Sequence, residues 1–446
     1  MNSSYNASIN SQSPARARLA ALFDEGSFAE IGTYVCRSTD IKSPAGVICG
    51  YGAINGRLAF AFAEDRARMR GAFDKAGSEK ILALYDMARR NGAPVFEIYD
   101  SDGLFIREGV RALAAVGSTL ARARTLHGVV PRVALVPGNC GGTMAALAAS
   151  ADFLLSCRGE GEIYAVSPFL TGRKPAPADK GISDLELADE DALFAAAREL
   201  MGYIPSNAAD GAVQTADADL VGAPDASGLA GTELIAALAD GGKYLRLDGA
   251  YAPGLAAGFG VFGGVSCAFL ASVPTADDGA LSVPALRAAE KLVRFADAFS
   301  IPLLSFVDCP GFSGEGDDAE LIRAAADLSA ALAEAKNPRV SVVTGRAYGP
   351  AFILLASRTL GSDVTYALPD AQVSALSPEA SVAFVENDRV GRDGSRAELV
   401  DEWRVRRADP EDGAICGEID DIVSPVDLRP RVLSAVQMLL GKSRKL

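Results

Sequence analysis

The chain has 446 residues, 49% of them hydrophobic and 22% charged, and it carries a formal net charge of −14 at pH 7. This length predicts two to three domains with sizeable cores. The acidic balance argues against nucleic acid as a partner, and no apolar run is long enough to predict a membrane span. Seven scattered cysteines without a CxxC spacing, and a polar start that lacks a signal peptide, predict a cytoplasmic protein with a frayed tail over 1–15.

The sequence contains a single histidine, His127, which we expect to lie in a solvated loop. A histidine general base would have to be this residue. Ser–His–Asp catalysis and histidine-containing zinc sites are therefore disfavoured, and we expect no metal. If the protein is an enzyme, backbone dipoles or the substrate itself are expected to carry the chemistry.

A β-hairpin is the first predicted element, beginning at Gly50 with Asn55-Gly56 as its tight turn. A helix is predicted over 78–92, followed by a buried strand that ends near Asp100, another helix and a strand over 132–137. Strands that alternate with helices predict an α/β fold.

A glycine pair in PGNCGGTMAALA, which begins at Pro137, separates this last strand from a helix of small residues. Glycines at a helix start let a ligand approach the backbone closely, and the first N–H groups of a helix have no partner within it. The segment is consistent either with a tight turn that binds nothing or with a hole for an anion or oxyanion. If its amides prove to be bonded within the protein, the second interpretation fails.

The chain repeats itself with an offset of 207 to 208 residues. GYGAINGR at Gly50 matches GFGVFGGV at Gly258, Asp100 matches Asp308, and Gly142 matches Gly349. Three blocks in one order predict an internal duplication, with domains over 1–235 and 236–446. The linker is predicted over 206–235, and an exposed loop over 172–184.

The GxGxxG of Gly258, Gly260 and Gly263 imitates a dinucleotide-binding fingerprint. That fingerprint needs a strand before it and a helix after it, whereas VSCAFLAS follows here and alternates as a strand. We therefore predict a second hairpin at this place and no dinucleotide.

Ten segments, in order and spacing, resemble the carboxyltransferase (β) subunits of biotin-dependent acyl-CoA carboxylases. They are LAALFDEGSFAEIG, GYGAINGR, EKILALYDMARRNGAPV, DSDGLFIREG, GNCGG, ELMGYIPSN, KLVRFADAFSIPL, VDCPGF, GRAYGPAF and LGSD. The resemblance extends from about Ala15 to Val390. It implies two tandem crotonase-like (ββα superhelix) domains, in agreement with the repeat.

The resemblance also implies a function: carboxyl transfer between carboxybiotin and an acyl-CoA thioester. In that family backbone N–H groups stabilise a thioester enolate in the first domain and the biotin enolate in the second. Biotin is carried by a biotin carboxyl carrier protein, which works with a biotin carboxylase. The family forms dimer-based oligomers, up to a hexamer, with the site between the first domain of one subunit and the second domain of another.

Carried over by motif, the resemblance assigns the thioester oxyanion hole to Gly142 and Thr143, with Gly103 and Leu104 beside it. On the biotin side it assigns Gly349 and Ala351 as catalytic, and Gly311, Phe312 and Pro350 as binding residues. The CoA phosphates need cations, and a basic cluster follows the first hairpin, although it could equally be a solvated charged loop: Arg66, Arg68, Arg70 and Lys75.

Five departures from the family pattern lie near the expected pockets. Pro350 replaces a glycine and has no N–H, Asp102 replaces another glycine, and Phe105 and Val261 stand where arginine is usual. LSPEAS over 376–381 replaces MGAEGA. In addition, the glycine-rich segment after SPFLTGRK is missing.

Two alternatives to a carboxylase component remain open. The protein could act in reverse, as the subunit of a biotin-dependent decarboxylase of malonyl- or glutaconyl-type CoA esters. It could also be a non-catalytic structural or regulatory paralogue within a carboxylase complex. Neither the direction nor the acyl chain length follows from the sequence.

Overall fold

The computed structural model describes residues 13–37, 40–159, 162–172, 181–215, 224–247 and 252–442. Most of the predicted N-terminal tail and of the predicted loop over 172–184 lies outside these residues. Contacts divide the chain into two compact units, Met1–Gly211 and Ala212–Leu446. Each unit contains one large mixed sheet and its own hydrophobic core.

The first unit contains eleven strands and six α-helices among its described residues. Its strands are β1 (Ala29–Ile31), β2 (Cys36–Arg37), β3 (Asp40–Pro44), β4 (Val47–Ile54), β5 (Arg57–Glu64), β6 (Val95–Ile98), β7 (Arg132–Val136), β8 (Cys140–Gly141), β9 (Phe153–Cys157), β10 (Ile163–Tyr164) and β11 (Leu185–Leu187). Its helices are α1 (Pro14–Leu22), α2 (Lys75–Asn91), α3 (Val110–Arg124), α4 (Thr143–Ala149), α5 (Pro168–Thr171) and α6 (Glu190–Tyr203).

The described part of the second unit contains eight strands and eight α-helices. Its strands are β12 (Tyr244–Arg246), β13 (Leu255–Phe262), β14 (Val265–Ser272), β15 (Leu303–Cys309), β16 (Arg339–Tyr348), β17 (Val364–Ala367), β18 (Gln372–Ser374) and β19 (Asp421–Ile422). Its helices are α7 (Gly231–Leu238), α8 (Val283–Ala298), α9 (Asp318–Glu334), α10 (Pro350–Leu355), α11 (Pro378–Val385), α12 (Arg396–Arg407), α13 (Pro410–Ile415) and α14 (Leu428–Leu439).

The two large sheets have the same topology. Their strand orders are β1-β4-β5-β6-β7-β9-β11 and β12-β13-β14-β15-β16-β17-β19. In both, an antiparallel hairpin is followed by parallel strands, and Phe60 pairs with Val95 as Ala268 pairs with Leu303. The duplication predicted from the sequence therefore appears as two copies of one sheet.

Both glycine-containing hairpins form as predicted. Asn55 and Gly56 connect β4 to β5 with φ of 51° and 74°, the left-handed conformation that a tight two-residue turn requires. Gly263 and Gly264 connect β13 to β14 with φ of 62° and 78°. Because a strand follows the GxGxxG motif, it cannot be a dinucleotide-binding turn.

The boundary between the units lies earlier in the chain than the division predicted at 235. Gln214 already pairs with Val265 of the second sheet. The linker prediction is wrong from Gly231 onward, because α7 begins there and buries Leu234 and Ile235 in the second core. Residues 216–223 lie outside the described part of the chain.

Among the described residues, no helix combines the length and apolar character that crossing a bilayer requires. His127 is half-exposed, as predicted, and its Nδ1 lies 3.5 Å from the Asp152 Oδ1.

Candidate active site

The glycine turn of the first unit connects β8 to α4. Gly142 has φ of 60° and ψ of −126°, a conformation that residues with a side chain rarely adopt. Its N–H donates to the Tyr164 carbonyl oxygen at 2.8 Å, because β8 pairs with β10 in parallel. The sequence predicts Gly142 as an oxyanion donor, and this prediction is wrong, since its amide is already bonded.

Thr143 presents the amide that remains. It is the first residue of α4, it is exposed, and its N–H has no acceptor among the residues that the structure describes. The first N–H groups of a helix have no intrahelical partner and lie at the positive end of its dipole. The turn is therefore not closed, and one of its two predicted donors is available.

Leu104 presents a second amide in the same unit. The Phe73 N–H donates to the Gly103 carbonyl at 2.9 Å, and the Phe105 N–H donates to the Phe73 carbonyl at 2.8 Å. In such a parallel bridge the N–H of the middle residue, Leu104, points away from Phe73. No described residue accepts a hydrogen bond from it.

Backbone hydrogen bonds connect the segment that contains Leu104 to the segment that contains Thr143. The Ser101 N–H donates to the Asn139 carbonyl at 2.6 Å, and Ser101 forms a parallel bridge with Cys140. A Cβ at Gly138 would lie 2.3 Å from the Asp100 Oδ1, so only glycine allows this approach. A cleft of about 470 Å³ opens beside the turn, lined by Arg70, Asp102, Asn139, Glu162, Tyr164, Ser167, Pro168 and Phe169.

The second unit repeats this turn with one difference. Gly349 has φ of 49° and ψ of −114°, and its N–H donates to the Ser374 carbonyl at 2.9 Å. Its amide is therefore not available as a donor, and the prediction that Gly349 lines the biotin site stays a prediction. Pro350 is the first residue of α10, the position that Thr143 has in α4, and it has no N–H.

Two other amides of the second unit remain without an acceptor among the described residues. One belongs to Phe312, because the Leu281 N–H donates to the Gly311 carbonyl and the Ser313 N–H donates to the Leu281 carbonyl, both at 2.9 Å. The other belongs to Ala351, the second residue of α10. A Cβ built on Gly311 would lie 3.8 Å from the Pro350 ring, so the predicted biotin-side residues do come together.

Comparisons with known proteins decide the family. The model of the carboxyl transferase domain matches residues 10–446. The chain belongs to the carboxyl transferase family.

Two relatives show how similar this chain is to other members of the family. Methylmalonyl-CoA decarboxylase subunit alpha of Veillonella parvula is 31% identical over 96% of this chain and 90% of its own length. The propionyl-CoA carboxylase carboxyltransferase subunit of Haloferax mediterranei is 30% identical over 96% of this chain and 91% of its own length. These relatives confirm the resemblance described above and the prediction of an acyl-CoA carboxyltransferase.

A solved structure confirms the predicted fold. Transcarboxylase 12S, solved as a hexamer with methylmalonyl-coenzyme A bound, matches with a TM-score of 0.88 and 28% identity. The match covers 98% of this chain and 92% of that one. The mixed α/β fold with two crotonase-like domains is thereby confirmed.

The basic cluster predicted in this carboxyltransferase is neutralised within the chain. The Arg66 Nη1 lies 3.1 Å from the Asp100 Oδ1 and 3.2 Å from the Asp102 Oδ1, and Arg70 also pairs with Asp102. Arg68 pairs with Asp65 at 3.2 Å and Lys75 with Glu79 at 3.5 Å. Of these four, Arg66 and Arg70 share Asp102 as a partner, and Arg70 and Asp102 line the cleft.

Asp102 is the centre of this arrangement. Its Oδ1 accepts a hydrogen bond from the Asn139 Nδ2 at 2.9 Å. Partial burial raises the pKa of Asp102, but the hydrogen bonds from Asn139 and Arg70 and the charge of Arg66 outweigh it, so the pKa lies below its usual value. Asp102 is therefore a paired carboxylate. Asn139 and Tyr164 were not predicted as site residues, although Asn139 lies within the GNCGG motif.

A second carboxyl group lies behind the site. Glu64, the last residue of β5, is fully buried, and its Oε2 accepts the Asp100 N–H at 3.1 Å. No described residue forms a hydrogen bond with its Oε1. Burial raises the pKa of Glu64 well above its usual value, the Asp100 N–H lowers it, and the Asp100 carboxylate raises it. This edge of the sheet thus favours a neutral Glu64 beside an ion-paired Asp100.

Proposed function

We propose that this carboxyltransferase moves a carboxyl group between a CoA thioester in the first unit and biotin, delivered by a carrier protein, in the second. The observation that carries the assignment is the Thr143 N–H, which has no acceptor among the described residues, together with the Leu104 N–H, which has none there either. Two preorganised donors of this kind stabilise the enolate oxygen of a thioester, since they face developing charge without reorganising.

Biotin, in this proposal, is a substrate that the second unit holds. The Phe312 and Ala351 amides fit its ureido oxygen, because they lie on adjoining segments and neither has an acceptor in the part of the chain that the structure describes. Because Pro350 has no N–H and the Gly349 amide is bonded, this side has fewer amides at its helix start than the first unit. Positioning by Gly311 and the Pro350 ring then contributes more than donor number.

We infer a short acyl group, as in propionyl- or methylmalonyl-CoA, from the names of the relatives. Those names include both a decarboxylase and a carboxylase at nearly equal identity. The same donors serve both directions, because each passes through the same enolate. The CoA phosphates would compete with Asp102 for Arg66 and Arg70.

We infer that a second copy of this chain completes the site, and that the partners are a biotin carboxyl carrier protein and a biotin carboxylase. Exposed apolar side chains in both units support the first inference, because apolar side chains that are exposed together mark contact sites between proteins. They are Ile106, Phe169 and Leu170 in the first unit and Phe384 and Val385 in the second.

A non-catalytic role within a carboxylase complex is the second candidate, and Pro350 is the observation that favours it. The test is an assay with methylmalonyl-, malonyl- and glutaconyl-CoA, in which free biotin replaces the carrier and the decarboxylated CoA ester is measured. Biotin-dependent turnover supports the proposal. No turnover with any ester, and no binding of propionyl-CoA by calorimetry, would establish the non-catalytic role instead.

A further inference from the structure

Arg132 and Arg339 occupy the same position in the two repeats. Each is the first residue of its strand, and each stands opposite the first residue of the preceding parallel strand, Val95 or Leu303. Both side chains are buried, with exposed fractions of 2% and 6%. A buried guanidinium is costly unless a counter-charge and hydrogen bonds compensate it.

In the first unit Glu97 supplies that compensation. Its Oε1 lies 2.8 Å from the Arg132 Nε, and its Oε2 lies 3.0 Å from the Arg132 Nη2. The hydroxyls of Tyr85 and Tyr99 each donate to Glu97 at 2.7 Å. Although burial lowers the pKa of Arg132, the Glu97 charge outweighs it and the pKa is raised.

In the second unit, other residues stand at all three positions that surround Arg132 in the first. Ser305 has the place of Glu97, two residues after the start of its strand, while Val293 and Val307 stand where the tyrosines are. The Arg339 Nε is buried without a partner, and no described residue forms a hydrogen bond with the guanidinium. Burial accordingly lowers the pKa of Arg339.

The nearest carboxylates do not take the place of Glu97. Asp363 accepts the backbone N–H of Arg339 and the Lys442 ammonium, both at 2.8 Å. Asp297 accepts the Lys336 N–H at 2.8 Å. The charges of both carboxylates raise the pKa of Arg339, but neither carboxylate forms a hydrogen bond with the guanidinium, and burial outweighs them.

The Arg339 side chain borders a cavity of about 20 Å³ beneath α10, large enough for one water-sized species. A Cβ at Gly361 would lie 1.8 Å from the Arg339 Nη2, so the guanidinium rests directly against backbone there. The polar wall consists of Ser305, Ser341, Ser357 and Ser362. The Ser305 hydroxyl has no acceptor or donor among the described residues.

We propose that this cavity is a binding site for one small monovalent anion, chloride under ordinary conditions, held by the Arg339 guanidinium and the Ser305 hydroxyl. The anion supplies the negative charge that Glu97 supplies in the first repeat. Ile353, Leu354 and Leu355 of α10 also border the cavity, so the bound anion stabilises the helix that follows the second glycine turn.

The test compares thermal unfolding of the full chain in sodium chloride, sodium bromide and sodium gluconate at equal ionic strength. We expect the halides to raise the unfolding midpoint by about 2–4 °C relative to gluconate. Ser305→Glu introduces a carboxylate at the position that Glu97 has in the first unit. The unfolding midpoint of this variant should therefore be the same in all three salts. It should equal the midpoint of the parent protein in halide.

Crystals grown in sodium bromide keep the proposal testable if that variant does not fold. We expect an anomalous bromide peak beside Arg339 and none beside Arg132. Arg132 is the internal control, because Glu97 already supplies its counter-charge. Equal midpoints in all three salts with no bromide peak beside Arg339 would overturn the proposal and leave water as the occupant.

Discussion

Thr143 and Pro350 occupy the same position in the two repeats, as the first residue of the helix that follows a glycine with positive φ. The amides of the two glycines are bonded in the same way, to the Tyr164 and Ser374 carbonyls. Only Thr143 then offers an N–H. The two turns are alike in backbone and unlike in the number of donors, and this difference determines what each can stabilise.

Pro350→Ala should raise the rate of biotin-dependent decarboxylation of methylmalonyl-CoA. Alanine keeps the helix start and adds one N–H facing developing charge, a contribution of about 3 kcal/mol when fully used, so a gain of about tenfold or more is expected. The rate at saturating CoA ester measures it. Pro378→Ala, which changes the first residue of α11, is the control and should leave this rate unchanged. A lower rate with Pro350→Ala would mean that the proline ring positions biotin.

Asp102→Asn should tighten the binding of propionyl-CoA. The substitution removes the charge that holds Arg70 and one of the two carboxylates that hold Arg66. Arg70 therefore becomes available to phosphate, while Arg66 keeps only its ion pair with Asp100. We expect a roughly fivefold lower dissociation constant, about 1 kcal/mol, and a steeper dependence on salt. Calorimetry at two salt concentrations measures both. Asp86→Asn, which breaks the ion pair with Arg122, is the matched control; equal effects of the two variants would contradict the assignment.

Glu64→Gln should stabilise the protein increasingly as pH rises. The folded pKa of Glu64 is raised above the usual value of 4.5. The folded state therefore holds the proton more tightly, and below pH 4.5 the native carboxyl carries no penalty. Above it, stability of the parent protein falls by up to about 1.4 kcal/mol per pH unit until the folded pKa is reached. Glutamine cannot ionise, so the variant avoids this loss.

Urea unfolding at pH 4.5, 6 and 8 measures the Glu64 effect. Ser272→Ala, at the end of β14 as Glu64 is at the end of β5, introduces no ionisable change and should shift stability equally at all three values. A Glu64→Gln difference that is constant across pH would show that the carboxyl does not titrate differently in the folded state.

Gly142→Ala should destabilise the first unit by about 1–3 kcal/mol. The nearest atom to the added Cβ is the Ala165 carbonyl oxygen at 3.9 Å, so space is sufficient and the cost comes from φ of 60° with ψ of −126°. Urea unfolding measures it. Gly117→Ala, within α3 and with open space, should stabilise instead. A neutral Gly142→Ala would mean that the turn relaxes readily.

The fold was predictable because its signals are local or repeated. Asn55-Gly56 specifies a hairpin by itself, and the offset between Asp100 and Asp308 identifies two copies of one arrangement. The helix Gly231–Leu238 escaped detection because alanine and glycine dominate its surroundings. Its burial depends on strands further along the chain.

The site was predictable only in part, because its details depend on contacts between distant segments. That the Gly142 amide is bonded follows from the pairing of two two-residue strands, which no pattern reveals. The sequence does not reveal the counter-charges of the basic cluster, since Asp100 and Asp102 lie more than thirty residues from Arg66. That Pro350 has the position of Thr143 follows from the backbone of the two turns and not from their sequences.

The most direct test of the account measures biotin-dependent decarboxylation of methylmalonyl-CoA by Thr143→Pro and Thr143→Ala. Proline is tolerated at the first position of a helix, and Pro350 holds this place in the second repeat, so folding should persist. We expect Thr143→Ala, which keeps the N–H, to retain activity, and Thr143→Pro to lose about 10²- to 10³-fold while still binding the CoA ester. Equal rates in the two variants would show that this amide does not stabilise the reacting thioester.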